Sequence, residues 1–93
     1  MASFTTRVVL IDADRDEYED LHEYMHGAGF SKTIKGQDGD VYKLPDAEYD
    51  YQGEVTLADV LAKAKAAAAK TGLTYRILVT ELRGRTWANL EPA

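Results

Sequence analysis

The alternation of apolar and polar positions divides the chain into six predicted elements. Phe4 to Ile11 is β-branched and apolar, and within it Val8-Val9-Leu10-Ile11 is an unbroken apolar run ending at Asp12. Side chains alternate faces along a strand, so four consecutive apolar residues require cover on both sides and predict a central strand. A helix follows at once. Asp14 suits its N-cap and Glu17 the reciprocal capping-box position. Tyr18, Leu21, Met25 and Ala28 form one apolar stripe with acids on the opposite face, and Gly27 and Gly29 end the helix.

Phe30 to Lys35 alternates and predicts a second strand. The turn signal Gly36-Gln-Asp-Gly39 folds Val41 to Leu44 back as its hairpin partner. Beyond Pro45, Ala47, Tyr49 and Tyr51 alternate with Glu48, Asp50 and Gln52, which predicts one third strand kinked at the proline; an irregular loop over 45–55 is the alternative. Thr56 and Asp59 open a second helix whose predicted buried stripe is Leu57, Val60, Leu61, Ala64 and Ala68, edged by Lys63, Lys65 and Lys70. Leu73 to Leu82 is the fourth strand, and 84–93 is a tail holding the only tryptophan, Trp87.

Strand, helix, strand, strand, helix, strand is two split β-α-β units. That order predicts an α+β, ferredoxin-like βαββαβ sandwich over 1–93, with antiparallel sheet order 4-1-3-2 and both helices on one face. The opposite face is then bare along Val8 to Ile11 and the fourth strand. An exposed apolar patch marks an association site, so a homodimer is expected, packed sheet to sheet or through the tail around Trp87.

Composition sharpens this picture in three ways. A chain of 93 residues supports one core. The absence of cysteine excludes disulfides and thiolate metal sites, leaving packing, alone or with oligomerisation, to stabilise the fold. No membrane-length apolar span and no leader pattern are visible, so a cytoplasmic protein without membrane contact is expected. The net charge of −5 is localised: residues 1–28 carry two basic and seven acidic side chains, while the rest balance at nine and nine. A polyanion should avoid the first helix, and that acidic helix is the surface expected to attract a protein partner.

Several stretches carry a family likeness: Val8-Val-Leu-Ile-Asp12 running into Tyr18–Met25, Gly29-Phe-Ser-Lys-Thr-Ile34, Tyr42-Lys-Leu-Pro-Asp-Ala-Glu-Tyr49, and Leu78-Val-Thr-Glu81 with Gly84-Arg-Thr-Trp87. With them the chain resembles the GhoS-type antitoxin endoribonucleases of type V toxin-antitoxin systems, themselves similar in fold to the small nuclease subunit of CRISPR adaptation. The resemblance implies a dimeric endoribonuclease that cleaves single-stranded RNA. Asp12, the acid ending the first strand, is its candidate catalytic residue. Asp12 also suits a purely structural role at the strand end, favouring the helix N-terminus. The alternative function is a non-catalytic dimeric module that binds a protein.

Metal-free RNA cleavage needs a base, an acid and a cation. His22 or His26 supplies the first two on paper, and Arg83 with Arg85 the third. Arg83-Gly-Arg-Thr-Trp87 pairs cations with a stacking ring, a minimal single-strand platform, though Trp87 equally suits docking against a partner subunit. Lys32, Lys35 and Lys43 give the hairpin a basic edge, which also deters edge-to-edge aggregation. His22-Glu23-Tyr24-Met25-His26 matches H-E-x-x-H, but His26 sits in a fraying last turn and no third His or Cys exists. No resident cofactor is expected: magnesium is the ion a nuclease reading allows, and zinc is not expected.

Overall fold

In the computed structural model, which describes residues 1–93, the chain forms seven short elements. They are β1 (Ala2–Leu10), α1 (Arg15–Gly27), β2 (Thr33–Lys35), β3 (Val41–Lys43), β4 (Glu48–Gly53), α2 (Leu57–Ala69) and β5 (Tyr75–Glu81). The protein is α+β, with two helices and two antiparallel sheets. One sheet has three strands in the order β4-β1-β5, and the other is the β2-β3 hairpin. Ser31 and Asp50 link the two by exchanging backbone hydrogen bonds of 2.8 Å in each direction.

β1 is the central strand expected of its apolar run. Phe4, Val8 and Leu10 point under the helices, where Leu21 and Met25 of α1 and Val60, Ala64, Ala67 and Ala68 of α2 close one core with Phe30 and Tyr49. Both capping boxes form: Asp14 with Glu17, and Thr56 with Asp59. Where β4 ends beside β1, the Tyr18 hydroxyl takes over as partner to the strand, accepting from Leu10 N–H at 2.9 Å and contacting Leu10 O at 3.3 Å. Thr6 lies in the same buried row, and its hydroxyl has no partner.

Four expectations change. The kinked third strand is two strands, because Pro45 and the turn after it break the ladder: β3 pairs with β2, and β4 with β1. Leu57 and Leu61 are exposed; Ala67 takes the buried place, because the stripe runs along the alanine row rather than the leucine flank. The face away from the helices is chiefly polar. Registered pairs place Thr5, Arg7 and Val9 of β1 beside Glu48, Asp50 and Gln52 of β4 and Arg76, Leu78 and Thr80 of β5. Val9 and Leu78, with Ile11 and Leu82 at the ends, are the large apolar residues there, so the greasy far side inferred from the sequence is reduced to scattered apolar positions in a polar face. The tail, finally, is used within the chain: Glu91 O accepts from Lys43 N–H, Ala93 N–H donates to Val41 O, and Trp87 packs on Tyr42 with ring centroids 5.5 Å apart.

Candidate functional site

The residues singled out for chemistry separate onto the two sides of the main sheet. On the helix side, a cleft of about 570 Å³ is lined by Arg15, Tyr18, Glu19, His22, Asp46 and Ala47. At its floor His22 Nδ1 makes a short hydrogen bond with the Tyr49 hydroxyl, and the two rings meet edge-on. Burial, followed by the neighbouring Lys32 ammonium, holds the His22 pKa below its ordinary value. Burial also pushes the Tyr49 phenol up, so it keeps its proton. With a neutral imidazole, Tyr49 donates to Nδ1 and the proton sits on Nε2. His22 then offers the cleft a donor, and its basic nitrogen is occupied.

Lys32 is not a free cation on a hairpin edge. Its ammonium donates to three carbonyls, those of Pro45 at 2.6 Å, Asp46 at 3.0 Å and Glu48 at 3.0 Å, and lies 4.9 Å from the Tyr49 ring centre. Desolvation lowers its pKa, opposed by Asp46 and Glu48. Its position follows from local need: the chain turns at Pro45 between β3 and β4, and the long cation just before β2 reaches the carbonyls of that turn and of Glu48.

Asp12 stands outside this cleft, exposed in the turn after β1 with a positive φ of 55°. Asp12 is not among the residues that line the cleft. Asp12 and His22 therefore do not converge. His26 is exposed at the last turn, and no three His, Asp or Glu side chains are grouped to hold a metal ion.

The second place is the corner where the tail meets the hairpin. Lys35, Gly36, Gln37, Asp38, Tyr42, Arg85, Thr86 and Trp87 line a cleft of about 450 Å³. Arg85 is aimed by an ion pair to Asp50 at 3.1 Å and a contact to the Thr5 hydroxyl at 3.4 Å. The Tyr42 hydroxyl donates to Asp38 at 2.9 Å. The Asp40 amide, followed by that bond, holds the Asp38 carboxyl below its usual range. Gly36 permits the ring approach, since a Cβ there would lie 3.2 Å from Tyr42 and 3.4 Å from Trp87. Arg83 is close by, beside Ser3 and Gly84.

Of the five residues picked for nucleic acid, the fold thus brings Lys35, Arg85 and Trp87 together and puts Arg83 at their margin, while Lys32 is spent on backbone carbonyls. Tyr42 completes the corner, although the acids near it in sequence favour reading its ring as sheet packing and not as a base-stacking surface. Its hairpin position opposite Ile34 hid the fact that a tail beginning forty residues later would stack on it. No family model and no curated protein matches this sequence.

Proposed function

We infer that the protein binds single-stranded RNA across its open sheet face, with the Trp87–Tyr42 corner as the base-stacking end. The observation that carries this reading is the convergence of two cations and two rings, Lys35, Arg85, Tyr42 and Trp87, in one cleft. Stacking rings beside a backbone-tracking cation are what a single strand requires and a duplex does not. Charge placement supports it. Of the five arginines, Arg7, Arg76, Arg83 and Arg85 belong to the open face or the tail beside it, set against Glu48 and Asp50 of that face, whereas α1 carries one arginine against five acids.

In the same reading the fold is ferredoxin-like, with sheet order 4-1-3-2 when β3 and β4 count as one interrupted third strand. The Ser31–Asp50 exchange supports it as the remnant of the ladder between the second and third strands. The family likeness of the sequence supplies the substrate class. The geometry favours binding over cleavage, because the imidazole and Asp12 lie away from Arg83 and Arg85, which were to face the phosphate.

Anisotropy titration of a labelled 12-nucleotide RNA at low salt tests the reading. Trp87→Ala should weaken binding by about tenfold, within the ~1–3 kcal/mol range for one stacked base. Removing Lys35 and Arg85 together should flatten the salt dependence by roughly 1.4 in log-log slope, at ~0.7 per phosphate contact. No binding by the intact protein, or equal binding by the Trp87 variant, would overturn it. The same RNA on a denaturing gel, with magnesium or EDTA, separates binding from nuclease activity: cleavage lost in Asp12→Ala or His22→Ala replaces the binding reading with the enzymatic one. A second reading rests on the acids of α1, none of which has an ion-pair partner: that helix docks a basic protein surface.

A further inference from the structure

β5 is the last strand of its sheet, and its outer edge is open. Thr74 O accepts from Ile11 N–H, and Leu82 N–H donates to Ser3 O, so even-numbered residues direct their backbone groups at β1. By alternation, Tyr75, Ile77, Val79 and Glu81 direct theirs outward, and none of these has a hydrogen-bond partner. Seven residues without proline, lysine or a bulge make this edge a template for another strand.

Apolar side chains border the edge on both faces, with Arg76 and Thr80 beside Leu78 on the open one. α2 lies chiefly over β5, with α1 on the flank where Lys70 Nζ reaches to 5.9 Å from the Tyr24 ring. By helical periodicity Leu61, and Leu57 at the helix start, fall on the side of α2 away from Lys70 and so toward the open edge, and they are 38% and 45% exposed. Beneath, on the open face, Leu78 is 65% exposed. These are three of the five large apolar residues the chain exposes, and all three border one strand.

We propose that this edge is a homodimer interface, in which β5 pairs antiparallel with β5 of a second copy about a two-fold axis through Leu78. Leu78 is the central residue of β5, so full overlap puts Leu78 opposite Leu78, Ile77 opposite Val79, Arg76 opposite Thr80 and Tyr75 opposite Glu81. The pairing is self-complementary in three respects. The outward-facing residues Ile77 and Val79 exchange hydrogen bonds, apolar residues meet apolar ones, and no like charges are opposed. Leu57 and Leu61 of both copies then close over the joined strands. The edge is about 23 Å long at roughly 3.3 Å per residue. If sheet and helix make it about 20 Å deep, two copies bury on the order of 900 Å², near the ~1,000 Å² lower bound for a specific interface. A weak dimer is the expectation, formed through the edge and not by stacking of the polar sheet faces.

The chain contains no cysteine, so introduced ones report cleanly. On the axis the two Leu78 Cα atoms form a non-hydrogen-bonded pair about 4.5 Å apart, inside the ~4.4–6.8 Å span of a disulfide. Leu78→Cys should therefore cross-link rapidly under mild oxidation, while Val9→Cys, on the central strand of the same face, should not. Sedimentation of the intact protein should show a dimer by about 200 µM, and Leu61→Glu with Leu78→Lys, both exposed, should return a folded monomer by circular dichroism. A one-chain mass throughout that range, a dimer surviving the double substitution, or equal cross-linking of Val9→Cys would each overturn the proposal, the last in favour of face-to-face stacking.

Discussion

Tyr49 and Asp50 are adjacent in β4, 1% and 5% exposed, and point to opposite sides of the sheet. Tyr49 lies under the helices. It packs edge-on against Phe30, bonds to His22 and carries Lys32 above its ring. Asp50 faces the open side, where its carboxylate is held by Arg85 and by the Gln52 amide at 3.2 Å. One residue is held by apolar packing and the other by polar partners, chief among them an arginine from a tail thirty-five residues on. Sequence alternation places both, yet only the first is buried by the core that the sequence encodes locally. The second depends on where a distant segment chooses to lie.

Breaking the packed side should therefore cost most. Tyr49→Ala removes a fully buried ring and strands His22 and Lys32, so it should lower stability by about 3–5 kcal/mol, as for other buried aromatics. Urea melts at constant slope measure this. Lys32→Met comes next, since it keeps the stem over Tyr49 but removes the ammonium donor shared by three carbonyls, of which Pro45 O retains the Glu48 N–H. Its expected loss is about 2 kcal/mol, in the range for hydrogen bonds to a charged group that is partly open to water.

The contrast also explains what was legible before any coordinates. The two capping boxes, the α1 stripe of Leu21 and Met25, and β1 as the central strand follow from contacts within a few residues or from strict period. The leucine flank of α2 misled because periodicity at 57, 60, 61, 64 and 68 does not say which edge of the stripe is covered; the small Ala67 won because helix and sheet approach closely there. In the candidate site, Lys35, Arg85 and Trp87 were identifiable by type, but their meeting was not, because the tail crosses from the end of β5 to the hairpin. Lys32 was misjudged for a related reason: its partners are carbonyls of the turn at Pro45 and of Glu48, and backbone acceptors leave no mark in composition.

On the open side the effects should be smaller. Asp50→Ala removes one partner of an ion pair whose arginine side chain is 25% exposed, so hydration of Arg85 softens the loss to about 1.5 kcal/mol, well below the fully buried case. Loosening of the tail should accompany it, visible as faster amide exchange at Lys43 and Ala93 with β1 unchanged. An uninvolved tail would show no such local change. Thr6→Val has the opposite sign. The hydroxyl is wholly buried without a partner, so an isosteric methyl should stabilise by about 1 kcal/mol; a loss instead would show that the hydroxyl has a partner in solution.

The smallest effect distinguishes the two sides by pH. Folding lowers the His22 pKa below 6.5, first through burial and then through Lys32. Between the folded value and the ordinary one, the unfolded chain binds the proton and the folded chain does not, so stability rises with pH in that window. Acidification through pH 6.5 should therefore erode stability until the folded-state pKa is passed, after which this contribution levels off. The groups facing His22 set the sign against simple intuition. Glu19 and Asp46 raise its pKa, yet burial against Tyr49 and the Lys32 ammonium outweigh them. His22→Gln, which keeps a polar contact for the Tyr49 hydroxyl, should flatten this part of the profile. Parallel profiles for the intact protein and His22→Gln would mean that the imidazole is as free in the folded chain as in the unfolded one, and that the Tyr49 side of β4 is no tighter around its titrating groups than the Asp50 side.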